Sequence, residues 1–429
     1  MKFAAVKAIA ELAKEDVPEN VEKSYNSKMS YGKDYLIPKP FDHRLLLRIA
    51  PAVAKAAIET VVARKKIDLE LYKDQIESRL GVIYSVTRKM KRSIMRLNKT
   101  NGKKLRVVLP EGNSCKILKA AEILMQEEIC EPILLGDNNT IKNTIQEIGL
   151  KTLNNALIIN PRTSDKKEKY IKEFYQMRAR KGTTELEAYE RISRNFHYFG
   201  SMMVYSNDAD ILCSGLLHNY GDVLRPPLQI IGTEKGKVLC GIYMLLWKDK
   251  SLFFADTTIN FDPNEEQLAQ IAIQTHDMAS IYLNEEARVA MLSFSNFGSL
   301  KHPKSIKIRK AVELVKRQRS DIKIDGEIQA DFALSAEQLL ATYGFSSLKE
   351  DANVLIFPDL TSGNIAYKLL NKLGGATVIG PLLSGMKKPA NILARDCGIE
   401  EIVNLVTFTV HASQNGKSSF KQRRKYESS

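Results

Sequence analysis

The chain reads as an α/β protein, and three features of its sequence predict this. Short apolar runs rich in β-branched residues recur from residue 105 onward, segments with apolar residues at helical spacing lie between them, and Gly, Asn, Asp and Pro mark the junctions. Strands alternating with helices build a largely parallel sheet covered on both faces.

The elements follow in order. Residues 2–15, KFAAVKAIAELAKE, alternate apolar and charged positions as an amphipathic helix. Residues 37–45 are expected to be extended, because each proline biases its predecessor away from the helix. Residues 50–60 are helical, with Pro51 tolerated in the first turn. LRVVLPEG (105–112), EPILLGD (131–137) and ALIIN (156–160) are strands separated by helices, the first helix capped by Asn113 or Ser114. Helices near 166–182 and 184–204 lead to the strand DILCSG (210–215). Between 236 and 260, two apolar runs about KDKS read as a hairpin or as neighbouring strands. Alternation then resumes, with helices near 264–282 and 306–317 and strands at VAMLSFS (289–295), IKIDGE and NVLIFPDL (353–360). The helix SGNIAYKLLNKLGG follows.

Composition bounds the rest. At 429 residues there is room for two or three domains, and 44% hydrophobic with 27% charged residues is ordinary for a globular protein. No apolar run approaches the ~20 residues that span a bilayer. Lys7, Glu11, Lys14, Glu15 and Asp16 break up any signal-peptide core, so a cytoplasmic location without membrane association is expected. Five scattered cysteines, Cys115, Cys130, Cys213, Cys240 and Cys397, form no C-x-x-C pair, which argues for reduced thiols and against a zinc site; no metal is expected. The net charge of +14 is partly local: residues 87–106 hold nine basic residues and no acid, and the tail adds another cluster. Neither patch carries the interleaved aromatics of a nucleic-acid module, so they read as a solvated linker and tail, and no nucleic-acid partner is expected. A basic surface also favours anionic ligands.

The chemistry-bearing residues sit after strands, where open α/β sheets bind ligands. SGLLHNYGDVLRPPLQII (214–231) places His218 and Arg225 in what reads as a stiff loop before two prolines. A rigid guanidinium fork suits phosphate, and the alternative is a surface loop with a capping Asp. Arg178, Arg180 and Lys181 end a helix in EFYQMRARKG, where the dipole favours cations in any case. FPDLTSGNIAYK (357–368) opens a helix whose free N–H groups suit an anion or require only a cap. Near the C-terminus, NILARDCGIEEIV (391–403) carries Arg395 with two acids following.

Taken in order, LPEG, EFYQMRARKG, YFGSMMV, SGLLHNYGDVLRP, LFFADTTIN, AMLSFSNFGS, DGEIQADFAL, FPDLTSGNIAYK and IGPLLSGMKKPANIL resemble the phosphate acetyltransferase/phosphate butyryltransferase family over roughly residues 100–415. Residues 1 to about 75, with YLIPKPFDHRLLLRIAPAVAKAAIET, resemble the last part of the NADP-binding domain of hybrid bacterial malic enzymes, which carry a related module downstream. With no dinucleotide fingerprint, malate oxidation is not expected.

The resemblance implies two α/β domains with a cleft between them, preceded by a short, mostly helical segment. The implied organisation is a malic-like remnant at 1–75, a basic linker at 76–104, domain I at 105–235 plus 378–415, an inserted domain II at 236–377, and a basic disordered tail at 416–429. It implies a homodimer that interconverts acetyl-CoA plus phosphate with acetyl phosphate plus CoA, with no tightly bound cofactor. Arg178 and Arg225 correspond to family residues at the phosphate and acyl site, with Ser214 and Asn364 also on the substrate side. Arg395 and Glu401 complete the catalytic set with Arg225.

The family motif N-D-L-S-R-G-C reads NILARDC here: Arg395 is kept, while Ile392, Ala394 and Asp396 replace Asp, Ser and Gly, and Glu401 replaces a later Asp. Ala for Ser deletes a donor that can be worth ~100–1,000-fold. Glu for Asp moves a carboxylate by about one methylene. Two functions are therefore expected to compete: a phosphate acetyltransferase slowed by these changes, and a non-catalytic acetyl-CoA-sensing module derived from a hybrid malic enzyme.

Overall fold

In the computed structural model, which describes residues 1–426 apart from 16, 81 and 284, the chain divides into two compact units. One comprises Met1–Arg88 with Trp247–Asp249, the other Lys89–Leu246 with Lys250–Ser429.

The first unit is helical. Lys2–Ala13 packs on Arg44–Glu59, and its Leu12 and Ala13 are essentially buried. Arg44–Glu59 begins earlier than predicted, so Pro51 lies inside the helix rather than in its first turn. Its ring is buried. Ahead of this helix, buried Asp42 takes a forked ion pair from Arg44, with Nη2 at 2.7 Å.

The basic stretch expected as a linker is helical over Val82–Asn101. The reason is a stripe: Met90, Ile94 and Asn98 recur every four residues and are buried, while the basic side chains occupy the other faces. Asn98 donates to the Glu128 carbonyl at 2.9 Å, and Lys91 pairs with Glu127 at 2.6 Å. At the other end, the helix Ile399–Tyr426 extends through most of the segment expected as a disordered tail; residues 427–429 lie outside the described residues.

The second unit holds two sheets. Strands β1 (Arg106–Leu109), β2 (Glu131–Leu135), β3 (Leu157–Ile159), β4 (Ile211–Ser214) and β11 (Ala390–Ile392) form a parallel sheet in the order β11-β4-β1-β2-β3. Strands β5 (Cys240–Leu246), β6 (Ser251–Ala255), β7 (Arg288–Leu292), β8 (Lys323–Ile328), β9 (Val354–Ile356) and β10 (Thr377–Ser384) form the other, ordered β10-β5-β6-β9-β7-β8. In it β5 runs antiparallel to β10 and β6, and the remaining pairs are parallel. The predicted hairpin is β5–β6. The second sheet does not end at 377, however: β10 pairs with β5 through Ser384↔Cys240, so the chain returns to the first sheet only at β11.

Strands β1, β4 and β7 are short and almost wholly buried, as parallel strands covered on both faces must be. Tyr170, Phe174, Phe199 and Met202 fill one side of the first sheet against Val108 and Leu212. The predicted helix at 184–204 is two helices, Glu185–Arg194 and Phe196–Tyr205, broken at Asn195, whose side chain caps the second by accepting from the His197 N–H. Residues 214–231, read as a loop, contain the helix Tyr220–Ile230. Val223, Pro226, Pro227 and Ile230 are its buried stripe, and their i, i+3, i+4, i+7 spacing outweighs the two amide donors the prolines remove.

Candidate functional site

The first sheet changes direction between β1 and β4: β2 and β3 continue to one side of β1, while β4 and β11 lie on the other. Such a switch point opens a crevice beyond the carboxyl ends of the strands. The segments leaving β1, β4 and β11 there carry most of the chemistry-bearing side chains.

Glu111, just past β1, organises the exit from β4. It is buried, and its carboxylate accepts from the N–H groups of Gly215 (2.8 Å), Leu216 (3.2 Å) and Leu217 (2.9 Å). Gly215 has φ +124 and passes so close to Ile392 and Leu393 that a Cβ would stand 3.0 Å from each. A side chain has no room there and the backbone angle favours glycine. The same carboxylate lies 3.2 Å from His218 Nδ1, which is itself 3.2 Å from His197 Nε2. The two rings meet edge to face at 4.7 Å. Burial pushes His197 down to about 4, with the Glu111 charge opposing and His218 assisting, so His197 is neutral near pH 7. A cavity of about 300 Å³ adjoins, bounded in part by Asn113, Ser114 and Arg194.

A second group is cationic. Arg178 ends the helix Lys167–Arg178, Arg191 lies in Glu185–Arg194, and Arg225 in Tyr220–Ile230. All three act on Tyr198. Burial raises its phenol pKa, and the charges of Arg191, Arg225 and Arg178 hold it down. The Arg191 guanidinium stands 5.9 Å from the Tyr198 ring centre, and the phenol donates to Gln229 Oε1 at 2.9 Å. Arg178 Nε is buried without a hydrogen-bond partner, while Arg225 is exposed.

Arg395, beyond β11, is exposed and donates from Nη1 to Asn219 Oδ1 at 3.4 Å. Asn219 is the N-cap residue of the helix that carries Arg225. Asp396, where the family motif has Gly, sits at φ +59, a region Asp tolerates better than most residues. Lys116 holds this loop by donating to the Asp396 and Cys397 carbonyls at 3.2 and 3.1 Å.

Glu401 occupies the first turn of the last helix and accepts from the Gly398 N–H at 2.7 Å, a capping contact. Burial, and after it the Glu401 charge, pushes the Cys397 thiol up to about 12.

Ser214 is fully buried at the end of β4 with its Oγ unpartnered. Asn364 lies on the helix Leu360–Lys372 and donates to the Thr257 carbonyl at 3.2 Å. Its connection to the site runs through Tyr367, one turn on, which stacks on Tyr243 at 4.3 Å; Tyr243 in turn feels the Glu401 charge.

In the sequence Glu111 is visible only as part of LPEG, and no motif marks His197 or Arg191. Their separation along the chain hides the grouping. The one local signal was Arg191 seven residues before Tyr198, on the next helix.

The fold is that of an α/β protein of two largely parallel sheets. The chain belongs to the phosphate acetyl/butaryl transferase family, which matches residues 89–410. It is 41% identical to the phosphate acetyltransferase of Clostridium acetobutylicum over 320 residues, 73% of this chain and 96% of that protein. Its fold superposes on a phosphotransacetylase from Streptococcus pyogenes with a TM-score of 0.72 at 34% identity, covering 77% of this chain and 98% of that one. It is also 36% identical to the NADP-dependent malic enzyme of Escherichia coli over 420 residues, 96% of this chain but 54% of that enzyme. The chain thus spans about half the length of the malic enzymes it matches, and the region before residue 89 has its counterpart in them.

Proposed function

We propose that this chain transfers an acetyl group between coenzyme A and inorganic phosphate. The observation that carries the reading is the placement of Arg178 and Arg225, on separate helices, within electrostatic reach of the one Tyr198 phenol. Such a pair suits phosphate, which a guanidinium fork meets with parallel charge-assisted hydrogen bonds. A phosphate oxygen attacks the thioester carbonyl carbon, the carbonyl oxygen gains charge, and the C–S bond breaks to release CoA thiolate and acetyl phosphate. Arg395 serves the developing oxyanion. In the reverse direction Glu401 takes the thiol proton of CoA, giving up its hold on the Gly398 N–H as it does so. Acetyl-CoA, CoA, phosphate and acetyl phosphate are the ligands of this reading, with no tightly bound cofactor, and a cytoplasmic homodimer is its setting.

The test is acetyl phosphate-dependent acetylation of CoA by the purified chain beside Arg225→Ala. Removing this guanidinium is expected to cost ~100–1,000-fold in rate. Equal rates for the two proteins would sink the reading.

Ala394 supports a second reading, that of an acetyl-CoA-sensing module without turnover, since the position offers no hydroxyl donor beside Arg395. Calorimetry separates the two: acetyl-CoA binding without turnover favours the sensor, and turnover on the order of 1–1,000 per second excludes it.

A further inference from the structure

We propose that Glu111, His197 and His218 form a site for one divalent transition-metal ion of the zinc or cobalt class. Glu111 Oε1 and His218 Nδ1 stand 3.2 Å apart, as do His218 Nδ1 and His197 Nε2, and all three ligand atoms lie within 4.8 Å of one another. Metal bonds of about 2.0–2.2 Å place neighbouring ligands of a tetrahedral ion roughly 3.4 Å apart. Two of the three separations therefore already match those of a coordination face.

Proton accounting points the same way. If His197 carries its proton on Nδ1, that donor is buried without a partner, and Glu111 Oε1 and His197 Nε2 compete for the single His218 Nδ1 proton. If His197 carries it on Nε2 and donates to His218, the bare His218 Nδ1 faces the carboxylate, lone pair against lone pair. One cation at this point accepts a lone pair from each of the three atoms and removes both the competition for the His218 proton and the lone-pair clash, with His197 carrying its proton on Nδ1.

The surroundings are those of a held site. Glu111 is fixed by three backbone N–H groups, and the helix bearing His197 is capped by Asn195, which accepts the His197 N–H. Outer contacts of this kind orient metal ligands. Two imidazoles and a carboxylate suit zinc, cobalt or nickel over magnesium, which prefers all-oxygen shells. The adjoining cavity, with Arg194 and Ser114 on its wall, leaves a coordination position for water or an anion.

The experiment uses the full chain stripped with a chelator and titrated with Co²⁺, read by its visible ligand-field absorption and by calorimetry. The proposal expects one Co²⁺ per chain, displaced by Zn²⁺. His218→Ala, at a half-exposed ring, keeps its far-ultraviolet circular dichroism and loses about 100-fold or more in affinity. Cys115→Ser, removing an exposed thiol that also attracts such ions, leaves the affinity unchanged. Absence of saturable Co²⁺ binding overturns the site. So does wild-type affinity in a folded His218→Ala protein, or loss of binding in Cys115→Ser.

Discussion

Arg395 donates to Asn219, the residue that caps the helix bearing Arg225, and so ties the loop after β11 to the helix after β4. The bond is long at 3.4 Å and solvent-exposed, and the Asn219 side chain makes no capping bond of its own. Its loss is worth about 0.5 kcal/mol. Asn219→Ala is therefore expected to lower acetyl transfer about two- to threefold while moving the melting temperature by no more than about 2 °C. A large drop in stability with no kinetic effect would show that Asn219 serves the helix and leaves Arg395 alone.

Ala394 lies between this arginine and the buried end of β11, exposed, and its carbonyl accepts from the Cys397 N–H at 3.2 Å. A serine there keeps the backbone and adds a hydroxyl beside the guanidinium. Ala394→Ser is expected to raise turnover on the order of 10–100-fold, part of what one oxyanion donor supplies. Acetyl-CoA affinity, measured by calorimetry, is expected to hold. An unchanged rate assigns the slow step to Glu401 or elsewhere.

Much of the architecture was legible in the sequence because parallel strands announce themselves. VVL in β1, PILL in β2 and ILC in β4 are too short and apolar to be anything but covered strands, and the turns between them are rich in Gly and Asn. The misreadings have specific causes. Counting Pro226 and Pro227 as breakers hid a helix whose apolar stripe includes them. Counting charges in residues 87–106 hid the Met90–Ile94–Asn98 spacing. The second sheet runs past residue 377 because β10 continues the alternation into its antiparallel pairing with β5. At the site, Arg178, Arg225 and Arg395 were found through family resemblance, since no local pattern distinguishes them from helix-end and loop cations. Glu111 and His218 come together through the β1–β4 pairing, and His197 joins them from the helix Phe196–Tyr205 packed on those strands, long-range events that no short motif encodes.

Gly363 gives a stability test of the second sheet. In the helix Leu360–Lys372 it passes so close to the strand exit that a Cβ would lie 2.5 Å from the Asp256 carbonyl oxygen and 3.3 Å from Phe357. Backbone cannot step aside as a side chain does. Gly363→Ala is expected to destabilise by about 1–3 kcal/mol in urea unfolding. Gly221, in the first turn of Tyr220–Ile230, has no atom within 4 Å of its Cβ position. Gly221→Ala is expected to stabilise by about 0.5–1 kcal/mol. Equal effects of the two substitutions would contradict the packing of the Gly363 helix on Asp256.

His411 gives a pH test. It is buried in the last helix beside Tyr282, ring centres 5.7 Å apart, and its Nδ1 has no hydrogen-bond partner among the described residues. Burial pushes it down from 6.5 to about 4. In the unfolded chain it titrates near 6.5, so between pH 6.5 and 4 the unfolded state binds more protons and stability falls as pH falls. His197 acts in the same direction. From pH 7 to pH 5, each histidine is expected to remove about 1–2 kcal/mol. His411→Phe keeps an aromatic against Tyr282 and deletes the titrating group. Urea unfolding at the two pH values should then show a loss smaller by that amount than in the wild type. An identical loss would mean that His411 meets water or a proton acceptor in the folded state, and that its burial contributes nothing to the acid limb.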